Sequence, residues 1–165
     1  MAGAQTDWPI YGHDPGGLQY SPLKAIDTRN VSKLQVAWTY DTRPADVPPP
    51  AGAPTARPRN RASQATPLVV DGMLYLSSPY NRIVALDPET GKKIWEYESD
   101  STPSTRGISY WGGDKTLPPQ IVVGTMSGWL FTLNAKTGKL TTSFGDNGKV
   151  NLKTGIGDHF PKAQS

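Results

Sequence analysis

The sequence predicts an all-β fold of short antiparallel strands joined by tight turns. Between residues 66 and 98, four apolar runs of strand length are separated by three turn signals: Asp71-Gly72, Tyr80-Asn81 and residues 87–91. Asp-Gly favours a two-residue hairpin, and the Asp-Pro-Glu-Thr-Gly segment at 87–91 combines three residue types that favour chain reversal. Such a four-stranded meander of about 35 residues is the unit of a β-propeller blade.

The same unit recurs 47 residues later in the chain. Residues 85–92, Ala-Leu-Asp-Pro-Glu-Thr-Gly-Lys, align with residues 132–139, Thr-Leu-Asn-Ala-Lys-Thr-Gly-Lys. Four strand positions keep this register, because Leu74, Leu76, Ile83 and Tyr97 align with Ile121, Val123, Leu130 and Phe144. A repeat period in the forties with four strands per copy is typical of propellers. The fold class predicted is therefore a β-propeller fragment with about two four-stranded antiparallel blades.

The chain order predicts how the rest is arranged. A closed propeller needs more than two blades, so we expect an N-terminal piece of a larger ring. A short helical turn at 31–34 precedes a strand at 34–40 that would complete the last blade and close the ring. The predicted segments are an N-terminal segment with this closing strand (1–42), a loop rich in proline and arginine (43–61), blade one (64–98), blade two (104–144, its fourth strand at 139–144) and a lead-in to a third blade (145–165).

Composition excludes several classes of function. The net charge is +3, from 17 basic and 14 acidic residues, and no basic stripe with interleaved aromatics indicates nucleic-acid binding. No apolar run reaches the length of a membrane span. The absence of cysteine excludes disulfides and thiolate metal sites. His13 and His159 lie far apart in loops without ligand spacing, and we predict surface positions for both rather than metal binding.

Two polar residues are candidates for a ligand site. Gln64 and Arg106 each stand just before the innermost strand of their blade, and equivalent positions in adjacent blades lie at the same end of the central channel. An arginine there offers fixed, charged donors that pair well with carboxylates or quinone oxygens. In the alternative interpretation, Arg106 pairs with a nearby acid and Gln64 caps a loop. Geometry alone leaves both interpretations open.

Several motifs resemble one enzyme family. The pattern Ala-x-Asp-x-x-Thr-Gly-x-x-x-Trp at 85–95 resembles the tryptophan-docking repeat of pyrroloquinoline quinone (PQQ) dependent dehydrogenases, in which an outer-strand tryptophan packs on the next blade. The second copy has Thr132 and Thr142 in place of the alanine and the tryptophan. Trp-Pro-x-Tyr-Gly at 8–12 resembles the mature start of these quinoproteins, particularly the glucose dehydrogenase branch. Arg-Gly-Ile-Ser-Tyr at 106–110 resembles their second-blade motif.

The resemblance implies roles for individual residues. Arg106 stands where the family's arginine contacts PQQ, and Gln64 stands where many members carry a glutamate that touches the cofactor. Thr105 replaces a cysteine of many members, and Trp111 replaces a histidine near PQQ in membrane glucose dehydrogenases. Trp111 and Tyr110 are further cofactor-binding candidates, although Trp111 would equally fit as a core aromatic packed between blades. The family's Ca²⁺ ligands and catalytic aspartate would fall beyond Ser165, so no catalytic or metal residue is predicted within this chain.

The function implied by the resemblance is PQQ- and Ca²⁺-dependent oxidation of an alcohol or sugar. Electrons would pass to a quinone or cytochrome, the location would be periplasmic, and the remaining blades would be partners of this piece, which we expect to be inactive by itself. The alternative is a non-catalytic propeller scaffold built on the same docking repeat. A scaffold would have no need for Arg106 and Gln64 at one mouth of the channel.

Overall fold

The computed structural model describes residues 7–44 and 64–155. These residues form two antiparallel sheets and one 3-10 turn, Val31–Lys33, and they contain no α-helix. The first sheet has the order β1-β2-β3-β4, and the second has the order β5-β6-β7-β8. The strands are β1 (Leu68–Val70), β2 (Met73–Ser78), β3 (Arg82–Leu86), β4 (Lys93–Glu98), β5 (Ser109–Trp111), β6 (Gln120–Gly124), β7 (Trp129–Asn134) and β8 (Lys149–Asn151). The all-β prediction with two four-stranded units is confirmed, as is the helical turn near residue 31.

The turns of the first sheet follow the signals in the sequence. Asp71 and Gly72 both have positive φ (49° and 71°), as the two-residue β1–β2 hairpin requires. In the turn before β4, the Asp87 carboxylate accepts the amide N–H groups of Glu89 and Thr90, each at 2.9 Å. Hydrogen bonds from Thr90, first of all, hold the pKa of Asp87 below its usual value. Local turn chemistry therefore fixes the order of the four strands.

The hydrophobic core lies between the two sheets. Alternate residues on each strand point to this interface, as the pleat of a strand requires. Tyr75 and Trp95 of the first sheet have ring centroids 6.0 Å apart, and Tyr97 lies 5.6 Å from Phe131 of the second. The buried residues of this inter-sheet cluster are Leu68, Val70, Tyr75, Ile83, Ala85, Trp95, Ile108, Ile121, Val123, Phe131, Leu133 and Ala135. The two sheets are thus packed face to face as one unit.

Trp95 links the outer edge of the first sheet to a turn of the second. Its indole Nε1 donates a hydrogen bond of 2.9 Å to the Ala135 carbonyl, and the side chain is buried. The ring also lies against Gly138, where an added Cβ would approach it to 2.6 Å. A glycine is therefore needed at 138 both for the close approach of the ring and for the positive φ of 69°.

Trp38 makes the same contacts with the first sheet. Its Nε1 donates to the Pro88 carbonyl at 3.1 Å, and its ring lies against Gly91, the residue 47 positions before Gly138. Residues 34–40 pair with no strand of the described ranges. The closing strand predicted there would pair with the last blade of the ring, so it stays a prediction. An extended segment becomes a strand only through backbone hydrogen bonds to a neighbour. In this structure the segment is instead attached through the Trp38 side chain.

The fourth strand of the second sheet is not where the repeat predicts it. Leu140 still bridges Leu133, but the chain then turns away from β7, and Phe144 N–H bonds back to the Thr141 carbonyl. Pairing resumes at β8, so Val150 stands opposite Leu130. The predictions of a strand at 139–144 and of Phe144 as the equivalent of Tyr97 are therefore wrong. The cause is a second turn, at Asn147 and Gly148 with positive φ (50° and 93°), which returns the chain to the sheet later.

His13 is also placed differently from the prediction. Its side chain is only 6% exposed and packs on the Trp8 ring, with centroids 4.6 Å apart, so the predicted surface position is wrong. The reason is non-local: Trp8 and Val69 exchange backbone hydrogen bonds of 2.6 and 3.0 Å, which hold the N-terminal loop against β1. His159, and the predicted proline- and arginine-rich loop except its first two residues, lie outside the described residues.

Candidate cofactor site

The loop that carries Arg106 is fastened to the β6–β7 hairpin. The Ser104 amide donates to the Gly124 carbonyl at 2.8 Å, and the Met126 amide donates to the Thr102 carbonyl at 2.9 Å. Pro103, which is buried, forms an isolated bridge with Thr125. Because these contacts come from the backbone of an adjacent hairpin, the loop is held by the second sheet itself.

Within this loop, residues 104–107 form a tight turn. The Gly107 amide donates to the Ser104 carbonyl at 3.2 Å, which closes the turn. The Ser104 Oγ accepts the amide N–H of Arg106, also at 3.2 Å. Gly107 has a φ of 113°, a conformation that residues with a Cβ rarely adopt. Both the hydroxyl and the glycine therefore define the backbone on either side of Arg106.

The same turn meets the segment that carries Gln64. The backbone N–H of Gln64 donates a hydrogen bond of 3.2 Å to the Thr105 carbonyl. Gly107 packs on the neighbouring backbone, because a Cβ there would stand 3.6 Å from the Thr66 nitrogen and 3.7 Å from the Ala65 Cα. The structure therefore brings the Gln64 and Arg106 segments together, and both of these residues are exposed.

The charge of the Arg106 side chain is not neutralised by an ion pair within the described residues. The ion pairs formed among residues 7–44 and 64–155 leave Arg106 without a carboxylate partner. Within that part of the chain, the alternative in which Arg106 pairs with a nearby acid finds no support. An exposed guanidinium is suited to binding an anion with several oxygen acceptors.

Tyr110 and Trp111 lie on opposite faces of the second sheet. Tyr110 packs against the inter-sheet core, with its ring centroid 6.4 Å from that of Tyr75. Trp111 is 39% exposed and faces the other way, into a shallow hollow of about 400 Å³. The hollow is lined by Trp111, Leu117, Gln120, Val122, Leu130, Thr132, Thr141, Ser143, Phe144 and Gly145. Because the two rings point away from each other across the sheet, these two candidates do not form one site.

Tyr110 gives a testable dependence of stability on pH. Burial, and then the charges of Asp71 and Asp7, raise the pKa of the Tyr110 hydroxyl above its usual value, and burial raises that of Tyr75 as well. The unfolded chain would lose these protons near pH 10, as model tyrosines do, while the folded chain retains them. We therefore expect the contribution of these two hydroxyls to the free energy of unfolding to be constant below pH 10 and to fall as the pH rises above it.

Urea denaturation at a series of pH values measures this effect. Tyr110→Phe should flatten the alkaline fall, whereas Tyr20→Phe, at an exposed position, should leave it unchanged. Equal alkaline slopes for wild type and Tyr110→Phe would contradict the assignment.

Sequence reasoning missed two residues of the loop. It identified Thr105 and Arg106 but gave no role to Ser104 or Gly107, which form the ends of the turn. A Ser-x-x-Gly pattern between two strands is a turn signal and was available in the sequence. Across residues 7–44 and 64–155, no three His, Cys, Asp or Glu side chains cluster as metal ligands would. The same residues include no helix with the length and apolarity to cross a bilayer.

Comparisons with known proteins point to one family. The family model described as "PQQ: Glucose/ethanol/alcohol dehydrogenase, beta-propeller domain" matches residues 8–165. The chain is 32% identical over 173 residues to quinoprotein glucose dehydrogenase A of Acinetobacter calcoaceticus, covering 91% of this chain and 21% of that protein. It is 34% identical over 170 residues to the glycerol dehydrogenase large subunit of Gluconobacter oxydans, covering 96% of this chain and 22% of that protein.

Solved structures agree with these sequence relatives. The crystal structure of quinohemoprotein alcohol dehydrogenase from Comamonas testosteroni has a TM-score of 0.67 and 29% identity, and the match covers 93% of this chain and 20% of that one. A europium-containing methanol dehydrogenase has a TM-score of 0.61 and 27% identity, covering 82% of this chain and 23% of that one. The chain thus spans about a fifth of the length of the relatives it matches.

Proposed function

Because the chain belongs to the β-propeller family of PQQ-dependent glucose, ethanol and alcohol dehydrogenases, we propose that it forms part of the propeller of an enzyme that oxidises an alcohol or a sugar. One observation carries the proposal. The exposed Arg106 and Gln64, from loops of two different sheets, are joined by the Gln64–Thr105 backbone hydrogen bond. This hydrogen bond holds together the backbone segments that carry one charged and one neutral polar residue.

The chemistry of these two residues fits PQQ. The cofactor carries three carboxylates and two quinone oxygens, and Arg106 provides a permanently charged, planar set of donors for such acceptors. The side-chain amide of Gln64 can also donate a hydrogen bond to the cofactor. Unlike the glutamate of many family members, it brings no negative charge toward the anionic PQQ. When bound, PQQ would supply the two-electron acceptor for oxidation of the substrate hydroxyl. The part of Arg106 and Gln64 is to bind and orient it.

The remaining functional assignments follow from family membership and are part of the proposal. Ca²⁺ would take its ligands, and the reaction its catalytic base, from later blades beyond Ser165. The remaining blades would complete the ring around the cofactor. Electrons would leave to a quinone or a cytochrome, and the enzyme would work in the periplasm. Tyr110 and Trp111 stay candidates for contact with the cofactor, with Tyr110 the weaker because it packs in the inter-sheet core.

Replacement of Arg106 tests the proposed function. Arg106→Ala in the full-length apoprotein should weaken PQQ binding roughly ten- to a hundredfold, because a charge-assisted hydrogen bond contributes about 1.5–3 kcal/mol. Arg106→Lys should restore only part of the affinity, since the fork geometry is lost. Titration of PQQ, followed by fluorescence quenching or calorimetry, gives the dissociation constants. Arg29→Ala, at an exposed arginine of the N-terminal segment, is the matched control. Equal dissociation constants for wild type and Arg106→Ala would favour the scaffold alternative.

A further inference from the structure

We infer that the turn at residues 104–107 is a preformed holder for the cofactor-binding side chains, with Ser104 and Gly107 as positioning residues. The inference rests on the proposed function, because it concerns how Arg106 and Gln64 are presented to PQQ. It goes further in assigning roles to two residues that would not touch the cofactor. Its basis is the set of hydrogen bonds that converge on four consecutive residues.

The turn fixes Arg106 from both sides. The Ser104 Oγ accepts the Arg106 amide, and the Ser104 carbonyl accepts the Gly107 amide, each at 3.2 Å. The backbone on either side of Arg106 is therefore bonded, while its side chain stays exposed. A guanidinium on a bonded turn loses less freedom on binding than one on a mobile loop, and such preorganisation strengthens binding.

The turn also fixes Gln64. The Thr105 carbonyl, in the middle of the turn, accepts a hydrogen bond of 3.2 Å from the backbone N–H of Gln64. A turn that opened at Ser104 would move this carbonyl and release the Gln64 segment together with Arg106. One small structural unit thus holds together the two backbone segments that carry Arg106 and Gln64 and that precede different sheets.

Gly107 is required by the conformation rather than by space. Its φ of 113° is one that L residues rarely adopt, whereas the nearest atoms to an added Cβ lie at ordinary contact distances of 3.6 Å and more. Gly107→Ala would therefore force the backbone to change its φ, and the change would fall directly after Arg106. The rest of the turn is anchored on the β6–β7 hairpin through the 2.8 Å hydrogen bond from Ser104 to Gly124.

Hydrogen exchange tests the turn without any cofactor. In the apoprotein, Ser104→Ala should speed exchange of the Arg106 and Gly107 amides about three- to tenfold, the loss expected for one hydrogen bond. Ser104→Thr keeps the hydroxyl and should retain the slow exchange. The melting temperature should stay close to that of wild type, since the bond lies in an exposed loop. Unchanged exchange in Ser104→Ala would overturn the assignment of the turn.

PQQ titration then tests whether the turn acts through Arg106. Ser104→Ala should weaken binding about three- to tenfold, and Ser104→Thr should restore it. In an Arg106→Ala background, Ser104→Ala should have less than half of this effect, because residues that act through one another are not additive. A full effect in that background would overturn the positioning role and leave the proposed function intact. An Arg106→Ala variant that binds PQQ as tightly as wild type would overturn the proposed function itself. Should Gly107→Ala fail to fold, the comparison of Ser104→Ala with Ser104→Thr tests the positioning role of the turn.

Discussion

Trp95→Ala should lower the free energy of unfolding by about 3–5 kcal/mol, the range for removal of a buried tryptophan. The side chain is 8% exposed, packs against Tyr75, and donates to the Ala135 carbonyl at 2.9 Å. Its loss would leave a cavity beside the inter-sheet core and an unpaired buried carbonyl, and both effects destabilise. Because the ring joins the two sheets, the loss should also reduce their cooperativity of unfolding.

A pair of variants separates the contributions of ring and hydrogen bond. Trp95→Phe keeps an aromatic ring but removes the indole N–H, so its effect should lie between wild type and Trp95→Ala. Trp129→Ala, at a position 38% exposed, should cost about 1 kcal/mol or less and serves as the control. Urea denaturation followed by far-UV circular dichroism measures all three without relying on tryptophan fluorescence. Equal losses for Trp95→Ala and Trp129→Ala would contradict the structural role of Trp95.

The first sheet could be predicted because each of its turns has a local signal. Asp71-Gly72, Asn81 and Gly91 all take the positive φ that their residue types allow, so strand ends were readable from turn chemistry. The second sheet was predictable up to Leu140, where the repeat register still holds. Beyond that point a second turn moves the last strand to Lys149–Asn151. The repeat therefore predicted the fourth strand at 139–144, whereas the structure forms it at Lys149–Asn151.

Non-local contacts account for the other differences. The burial of His13 depends on Trp8 pairing with β1, more than fifty residues away in the chain. The segment at 34–40 has the composition of a strand, and a strand exists only where a neighbour pairs with it. Its predicted neighbour, the last blade of the ring, is not among the described residues, so the closing strand stays a prediction. Sequence patterns report the propensity of a segment and cannot report the presence of its partner.

The candidate site also has features that could be predicted from the sequence and features that could not. The approach of Gln64 and Arg106 followed from topology, since both precede the first strand of a repeated unit. The turn that joins them depends on hydrogen bonds to single carbonyl and hydroxyl groups, at Ser104 and Thr105. Such bonds leave no periodic pattern in a sequence. The proximity of the two candidate segments was therefore predictable, and the hydrogen bonds that hold them together were not.

Gly138→Ala should destabilise the fold by roughly 2–5 kcal/mol, from two separate causes. The positive φ of 69° strains any residue with a Cβ, and the added methyl would stand 2.6 Å from the Trp95 ring. Gly72→Ala is a closely matched control. Its φ is 71°, but nothing in the described part of the chain lies within 4 Å of the added Cβ. The control should therefore show the backbone strain alone, about 1–2 kcal/mol.

A double-mutant cycle assigns the remainder to the ring. In a Trp95→Ala background the methyl at 138 meets no indole, so the cost of Gly138→Ala should fall to that of Gly72→Ala. The difference between the two backgrounds measures how closely the ring is pressed against the glycine. Because Gly91 and Trp38 repeat this geometry, Gly91→Ala should behave in the same way with Trp38→Ala. If Gly138→Ala cost the same with and without Trp95, backbone strain would explain the glycine, and close packing of the ring would have no part in the requirement for it.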